Sequence, residues 1–184
     1  VLSRGHRELR ALLPYLDREQ IPYEYMKKAN VFDEPHVKIL IQVCNYLASV
    51  MRHEATAEYI LPELLAHPCF TLGRKGLFTL AVEAKEKNQS WTDVMLKTDD
   101  KKLAVLGELF STLAVDAVST PLEHILETFM EKSGFKEFYF SRDRISKSPT
   151  TYISFLASLK TFVEALREWK EGETLYVADV ASFV

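Results

Sequence analysis

The feature that most constrains the fold of this chain is a stretch with helical periodicity, residues 33–53, that is apolar on two sides. One apolar stripe recurs at a spacing of three and four residues and consists of Val37, Leu40, Ile41, Cys44, Leu47, Ala48 and Met51. A second stripe runs beside it and consists of Ile39, Val43, Tyr46 and Val50. Residues at this spacing share a helical face, and a helix with two apolar faces must be covered from two sides. The sequence therefore predicts a central helix around which other helices pack.

Composition limits the function classes that remain. With 184 residues the chain can bury a sizeable core, and 47% hydrophobic and 27% charged residues are ordinary for a soluble globular protein. The net charge of -3 means that any contact with nucleic acid needs a local basic patch. No apolar run approaches the roughly 20 residues that span a bilayer. We therefore expect a cytoplasmic protein without a membrane partner.

Cysteines and histidines show no pattern of catalytic or metal-binding sites. Cys44 and Cys69 are too few for a disulfide framework and lack the paired spacing of zinc ligands, so both are predicted to be small buried residues. The five histidines, expected at the surface or at helix ends, are His6, His36, His53, His67 and His124. No phosphate-binding loop or hydrolase motif occurs, so the chain alone should not hydrolyse ATP.

Apolar periodicity predicts seven or eight helices, almost no strand and no internal repeat. The expected helices cover residues 5–19, 33–53, 55–66, 74–87, 101–118, 121–133 and 149–171, with a last one beginning near Leu175. Thr120-Pro121-Leu122-Glu123 has the form of a capping box, and Gly134 suits a left-handed helix stop. Residues 135–148 show no clear period and are expected to form a loop. The predicted class is an irregular all-α fold.

Two basic positions are candidate binding residues. Leu72-Gly73-Arg74-Lys75 places a glycine and two cations where a helix should start. Free backbone amides, the helix dipole and side-chain charge can converge there on a phosphate. The alternative interpretation is a turn glycine followed by two solvated charges. Arg4 follows a short strand-like segment, and by itself it indicates no function.

Several segments stand in an order found in one family. Val1-Leu2-Ser3-Arg4, Ile21-Pro22-Tyr23 and Phe32-Asp33-Glu34 precede the long apolar helix. HPCFTLG at 67–73 resembles a "P-x-x-G-I-G" turn, and LETFMEKSGFKEF at 126–138 resembles an "L-x-x-x-L-x-x-S-G-Y" helix end. In this order the chain resembles UvrD/Rep-family superfamily 1 DNA helicases, from motif IV of domain 2A through the helical 2B insertion.

The resemblance implies a domain organisation and partners. Residues 1–26 would be an edge of the RecA-like 2A domain, and 27–184 a 2B-like domain truncated at its C-terminus. The parent would be an ATP-dependent DNA helicase, with or without a fused nuclease, whose partners are duplex DNA and the remaining helicase domains of the same chain. ATP and Mg would bind the parent enzyme and not this segment, which lacks the Walker motifs.

The resemblance also implies roles for single residues. Arg4 matches the motif IV arginine that reaches the γ-phosphate of ATP, a task suited to a fixed planar charge. Leu72 and Gly73 match the end of the turn whose amides approach duplex phosphates, while Thr71 replaces its first glycine and weakens that expectation. Arg74 and Lys75 complete the expected DNA-binding set on physical grounds.

An alternative function stays open at this point. The chain could be an all-α protein–protein interaction module that binds no nucleic acid. Its net acidity and the threonine in place of the first turn glycine favour this alternative.

Overall fold

The structure, a computed structural model, describes residues 14–16, 18–21, 30–147 and 149–183. The chain divides into two compact units, 1–30 and 31–184. In the first unit the described residues include a short piece of helix and a turn, so most of the helix predicted at 5–19 lies outside them. The described part of the second unit is helical and contains no strand, which confirms the predicted all-α class. The domain boundary expected at residue 26 stays a prediction.

Ten α-helices are present in the described part of the second unit. They are α1 Pro35–Met51, α2 Ala57–Leu65, α3 Arg74–Lys87, α4 Trp91–Lys97, α5 Lys101–Asp116, α6 Leu122–Lys132, α7 Phe135–Phe140, α8 Arg142–Lys147, α9 Pro149–Trp169 and α10 Val177–Phe183. Two 3₁₀ helices are Val31–Asp33 and Pro68–Phe70. The predicted number of seven or eight helices was too small, because short helices carry too few residues to show a period.

Helix α1 is the centre of the core, as its two apolar stripes predicted. It contacts α2, α5, α9 and α10, which pack around it. Within the two stripes only Val50 and Met51 are half-buried, and Val37, Val43 and Cys44 have no exposed surface. A helix covered on two sides gains hydrophobic burial from both faces, which is why this stretch organises the second unit.

The loop predicted over 135–148 was wrong, because α7 and α8 lie there. Phe135 and Tyr139 stand four residues apart and are both buried, which gives α7 one apolar face. Helix α4 was also missed. Its cap is local, since Ser90 Oγ accepts from the amide of Asp93 at 3.0 Å.

The capping box predicted at Thr120 does not form. Helix α6 begins at Leu122, and no side chain caps it. Instead the amide of Leu122 donates to the carbonyl of Leu175 at 2.8 Å, and Glu123 pairs with Arg167 at 2.9 Å. A tertiary contact thus takes the place of the local cap. The left-handed stop predicted at Gly134 is confirmed, with φ of 85°.

Candidate nucleic-acid interface

The turn predicted to contact DNA, residues 71–75, is held in place by the 3₁₀ helix that precedes it. Nδ1 of His67 accepts from the amide of Cys69 at 3.2 Å and so caps the 3₁₀ helix Pro68–Phe70. Cys69 and Phe70 are buried, while Thr71, which ends the 3₁₀ helix, is exposed. The buried residues hold the turn in place and leave the next few residues at the surface.

Thr71 adopts the backbone conformation that glycine favours. Its φ of 53° and ψ of 25° lie in the left-handed region. This conformation costs a residue with a Cβ about 1–2 kcal/mol, and branched side chains are among the least suited to it. In the UvrD/Rep-family turn that residues 67–73 resemble, the first glycine stands at the position of Thr71. Threonine therefore does not prevent the turn from forming, but it leaves local strain.

The start of α3 presents amides and cations together. Gly73 is the N-cap, and its backbone is extended. Because glycine has no side chain, no side chain caps this helix. The first amides of a helix have no partner within it, and they carry the positive end of the helix dipole. Arg74 and Lys75 are exposed, and neither forms an ion pair with another described residue. Leu72 is half-buried and joins this surface to the core.

Tertiary packing brings further cations to the turn. Nζ of Lys102 lies 3.5 Å from Oγ1 of Thr71. Together with Lys101 and Lys132, these residues line an open groove of about 620 Å³. No sequence motif marks these lysines as a site, although the pair at 101–102 follows Asp100, a natural helix cap. The Oδ1 atom of Asp100 indeed accepts from the amide of Lys102 at 2.9 Å.

Acidic residues moderate this positive surface. Lys75 lines a smaller pocket of about 270 Å³ together with Glu83 and Asp100. Glu137 lies in the larger groove. Carboxylates therefore stand among the cations of the turn and the groove rim. This distribution suits a few phosphate contacts better than a long basic channel.

The cysteines and two of the histidines are shielded from solvent to different degrees, since Cys44, Cys69 and His36 are buried and His67 is half-buried. Burial raises the pKa of both Cys44 and Cys69 to about 12, so both thiols stay protonated, and the prediction of buried cysteines is confirmed. Burial lowers the pKa of His67 and of His36. His36 lies in the first turn of α1, as a helix-end position predicts, but its side chain is completely buried. The expected surface or helix-end position is therefore met for His36 by the helix end.

The remaining predicted site residue, Arg4, lies outside the described residues. Within the described ranges no group of three or more His, Cys, Asp or Glu is arranged to hold a metal ion. No helix in these ranges is long and apolar enough to cross a membrane.

The described part of the chain is thus all-α, and its exposed turn carries two cations, Arg74 and Lys75, that form no ion pair with another described residue. The sequence matches no protein-family model and no curated protein.

Proposed function

We propose that this chain is the duplex-contacting, 2B-like segment of an ATP-dependent DNA helicase similar to the UvrD/Rep family. The supporting observation is the geometry of residues 71–75, which lie together on one turn at a helix start. Thr71 has the left-handed backbone that the family's first turn glycine implies. Arg74 and Lys75 are exposed beside the unpaired amides, and Lys102 lies next to Thr71.

In this proposal the segment acts by positioning the duplex. The amides of the turn and the side chains of Arg74 and Lys75 hold phosphates of duplex DNA ahead of the separating strands. Phosphate contacts fix the register and orientation of a duplex without reading its sequence. ATP with Mg binds between the RecA-like domains of the parent enzyme, where Arg4 reaches the γ-phosphate. Hydrolysis moves those domains, while the helical unit restrains or guides the duplex.

The test compares two double variants that remove the same charge from opposite ends of α3. Arg74→Ala with Lys75→Ala removes the proposed phosphate contacts. Lys85→Ala with Lys87→Ala is the matched control, since both pairs are exposed and each variant lowers the net charge equally. Anisotropy of a labelled duplex with a single-stranded tail gives the affinity over a salt titration. We expect the first variant to reduce the slope of log K against log salt by about 1.8, the value for two lost phosphate contacts.

The control separates a local contact from a general charge effect. If both variants lower the affinity equally and leave equal slopes, the turn has no special role in DNA binding. If neither variant changes the affinity, or if the chain binds no duplex, the all-α interaction module without nucleic acid becomes the better interpretation.

A further inference from the structure

The groove beside Thr71 has an apolar floor that the DNA proposal does not use. It lies between the start of α5, the end of α6, the start of α7 and the 3₁₀ helix Pro68–Phe70. Its apolar residues are Phe70, Val105, Leu106 and Phe138. Leu106 and Phe70 also belong to the core, whereas Val105 is 55% exposed. The groove thus opens the edge of the core to solvent.

Cations surround this floor. Lys101 and Lys102 lie on one side and Lys132 on the other, with Glu137 as the one acidic lining residue among those described. Lys101 and Lys132 form no ion pair with another described residue. The chain as a whole carries a net charge of -3, so this rim departs from the overall charge. An apolar floor inside a basic rim is complementary to an apolar group flanked by carboxylates.

The wall of the groove is formed before any ligand arrives. A Cβ on Gly134 would lie 2.9 Å from the carbonyl oxygen of Cys69, so the turn between α6 and α7 packs directly on the 3₁₀ helix. Tyr139 adds a 2.9 Å hydrogen bond to His67 across the same boundary. A site that is already in its bound shape loses less conformational entropy on binding.

We infer that this groove binds an acidic peptide segment, which inserts one or two apolar side chains between carboxylates that pair with the lysines. The volume of about 620 Å³ accommodates a few side chains and lies within the range of small binding sites. Val105, the most exposed floor residue, is aliphatic, Phe70 is buried, and the ring of Phe138 packs against His67 and Tyr139. The floor therefore offers little ring face for stacking bases, which favours a peptide over a nucleic acid. The inference does not depend on the proposed phosphate contacts of Arg74 and Lys75, since neither residue lines this groove.

The probe is a fluorescein-labelled peptide in which a Leu-Phe pair stands between runs of Glu. Anisotropy is measured with the whole chain. Two matched peptides carry Ser-Ser in place of Leu-Phe, or Gln in place of Glu. We expect saturable binding of the first peptide and at least about tenfold weaker binding of each matched peptide, because each lacks one of the two complementary features.

Variants of the chain locate the binding. Val105→Glu places a carboxylate in the floor and should weaken peptide binding at least about tenfold. Val115→Glu is the control, because Val115 lies on the same helix, is 72% exposed and is absent from this groove. Lys101→Glu with Lys132→Glu should weaken binding to a similar degree and reduce its salt dependence. Circular dichroism and thermal unfolding show whether each variant keeps its fold.

Any one of four binding outcomes would overturn the inference. They are the absence of saturable binding up to about 1 mM peptide, equal binding of the Ser-Ser peptide, unchanged binding by a folded Val105→Glu variant, and a stronger Val105-dependent interaction with a single-stranded oligonucleotide. Sedimentation tests one further occupant, since a dimer that Val105→Glu dissociates would assign the groove to a second copy of the chain. The Arg74→Ala and Lys75→Ala variant should bind the peptide normally, so that failure of the DNA proposal and failure of this one are distinguishable.

Discussion

The hydroxyl of Tyr139 lies 2.9 Å from Nε2 of His67, and this hydrogen bond ties α7 to the 3₁₀ helix beneath the turn. The two rings also stack, with centroids 5.8 Å apart. Since Nδ1 of the same imidazole accepts from the amide of Cys69, both ring nitrogens are used when the ring is neutral. A second proton on Nδ1 would break the cap of the 3₁₀ helix. The support of the turn therefore depends on a neutral histidine.

A second histidine has the same requirement. Nε2 of His36 lies 2.7 Å from Oγ of Ser158, whose hydroxyl donates to the carbonyl of Ser154 at 2.8 Å. Nε2 is thus the donor, and Nδ1 is buried without a partner among the described residues. Burial lowers the pKa of His36, and the opposing effects of Glu34 and of the backbone of Phe155 are smaller.

Stability should fall as the pH is lowered through the ordinary histidine range. Burial lowers the pKa of His36 and of His67 in the folded chain, so the unfolded chain binds protons first. Their contribution is complete above about pH 6.5 and is lost below it, by at most about 1.4 kcal/mol per pH unit for each group. Urea unfolding from about pH 7.5 to about pH 5.5 measures this slope. His36→Gln with His67→Gln should flatten it, and His124→Gln, at an exposed position, should not. A free energy of unfolding that rises toward acid pH would contradict the assignment.

Replacing Thr71 by glycine should stabilise the chain. The change removes a strain of about 1–2 kcal/mol and adds about 0.5–1 kcal/mol of chain entropy to the unfolded state. The expected net gain is about 0.5–1 kcal/mol, or a rise in Tm of about 1–4 °C. Thr71→Ala is the control, because alanine keeps the Cβ that the left-handed conformation disfavours. An equal gain from alanine would show that the branched side chain, and not its backbone conformation, causes the strain.

Adding a methyl group at Gly107 should destabilise the packing of α4 on α5. A Cβ there would lie 2.9 Å from Cβ of Met95 and 3.1 Å from the backbone nitrogen of Leu96. Overpacking of this kind costs about 1–3 kcal/mol, so Gly107→Ala should lower the free energy of unfolding by that amount. Gly76→Ala is the matched helical control with open space around it, and it should stabilise by about 0.5–1 kcal/mol. Denaturant unfolding checks both, and an unchanged Gly107→Ala variant would mean that α4 shifts at little cost.

The nucleotide role of Arg4 is testable only in the intact parent enzyme. If Arg4 stabilises the γ-phosphate during transfer, Arg4→Ala should slow ATP hydrolysis by roughly 10³-fold while nucleotide binding is largely kept. Arg7→Ala removes a nearby charge of the same kind and should leave the rate within a few-fold of the parent. A steady-state ATPase assay with a nucleotide-binding titration separates the two effects. An unchanged turnover rate for Arg4→Ala would remove the residue from the nucleotide site.

The candidate site was predicted in part. The helix start at Arg74 was predicted from the apolar spacing that follows it, and α3 begins at this residue. The DNA contact of Arg74 and Lys75 stays a prediction. Lys102 and Lys132 were missed, since nothing local relates them to Thr71, which is 31 residues from Lys102. The groove they line exists only after four separate elements have packed together.

The sequence by itself determined the all-α class, the central helix α1 and the burial of Cys44 and Cys69. These features depend on periodicity and hydrophobicity within one segment, and such local signals survive without knowledge of the partners. Only the tertiary structure decided that Leu122 bonds to Leu175 instead of using the cap at Thr120. Contacts of this kind join residues far apart in the chain, and they depend on how all the helices pack and on which buried polar groups must find partners.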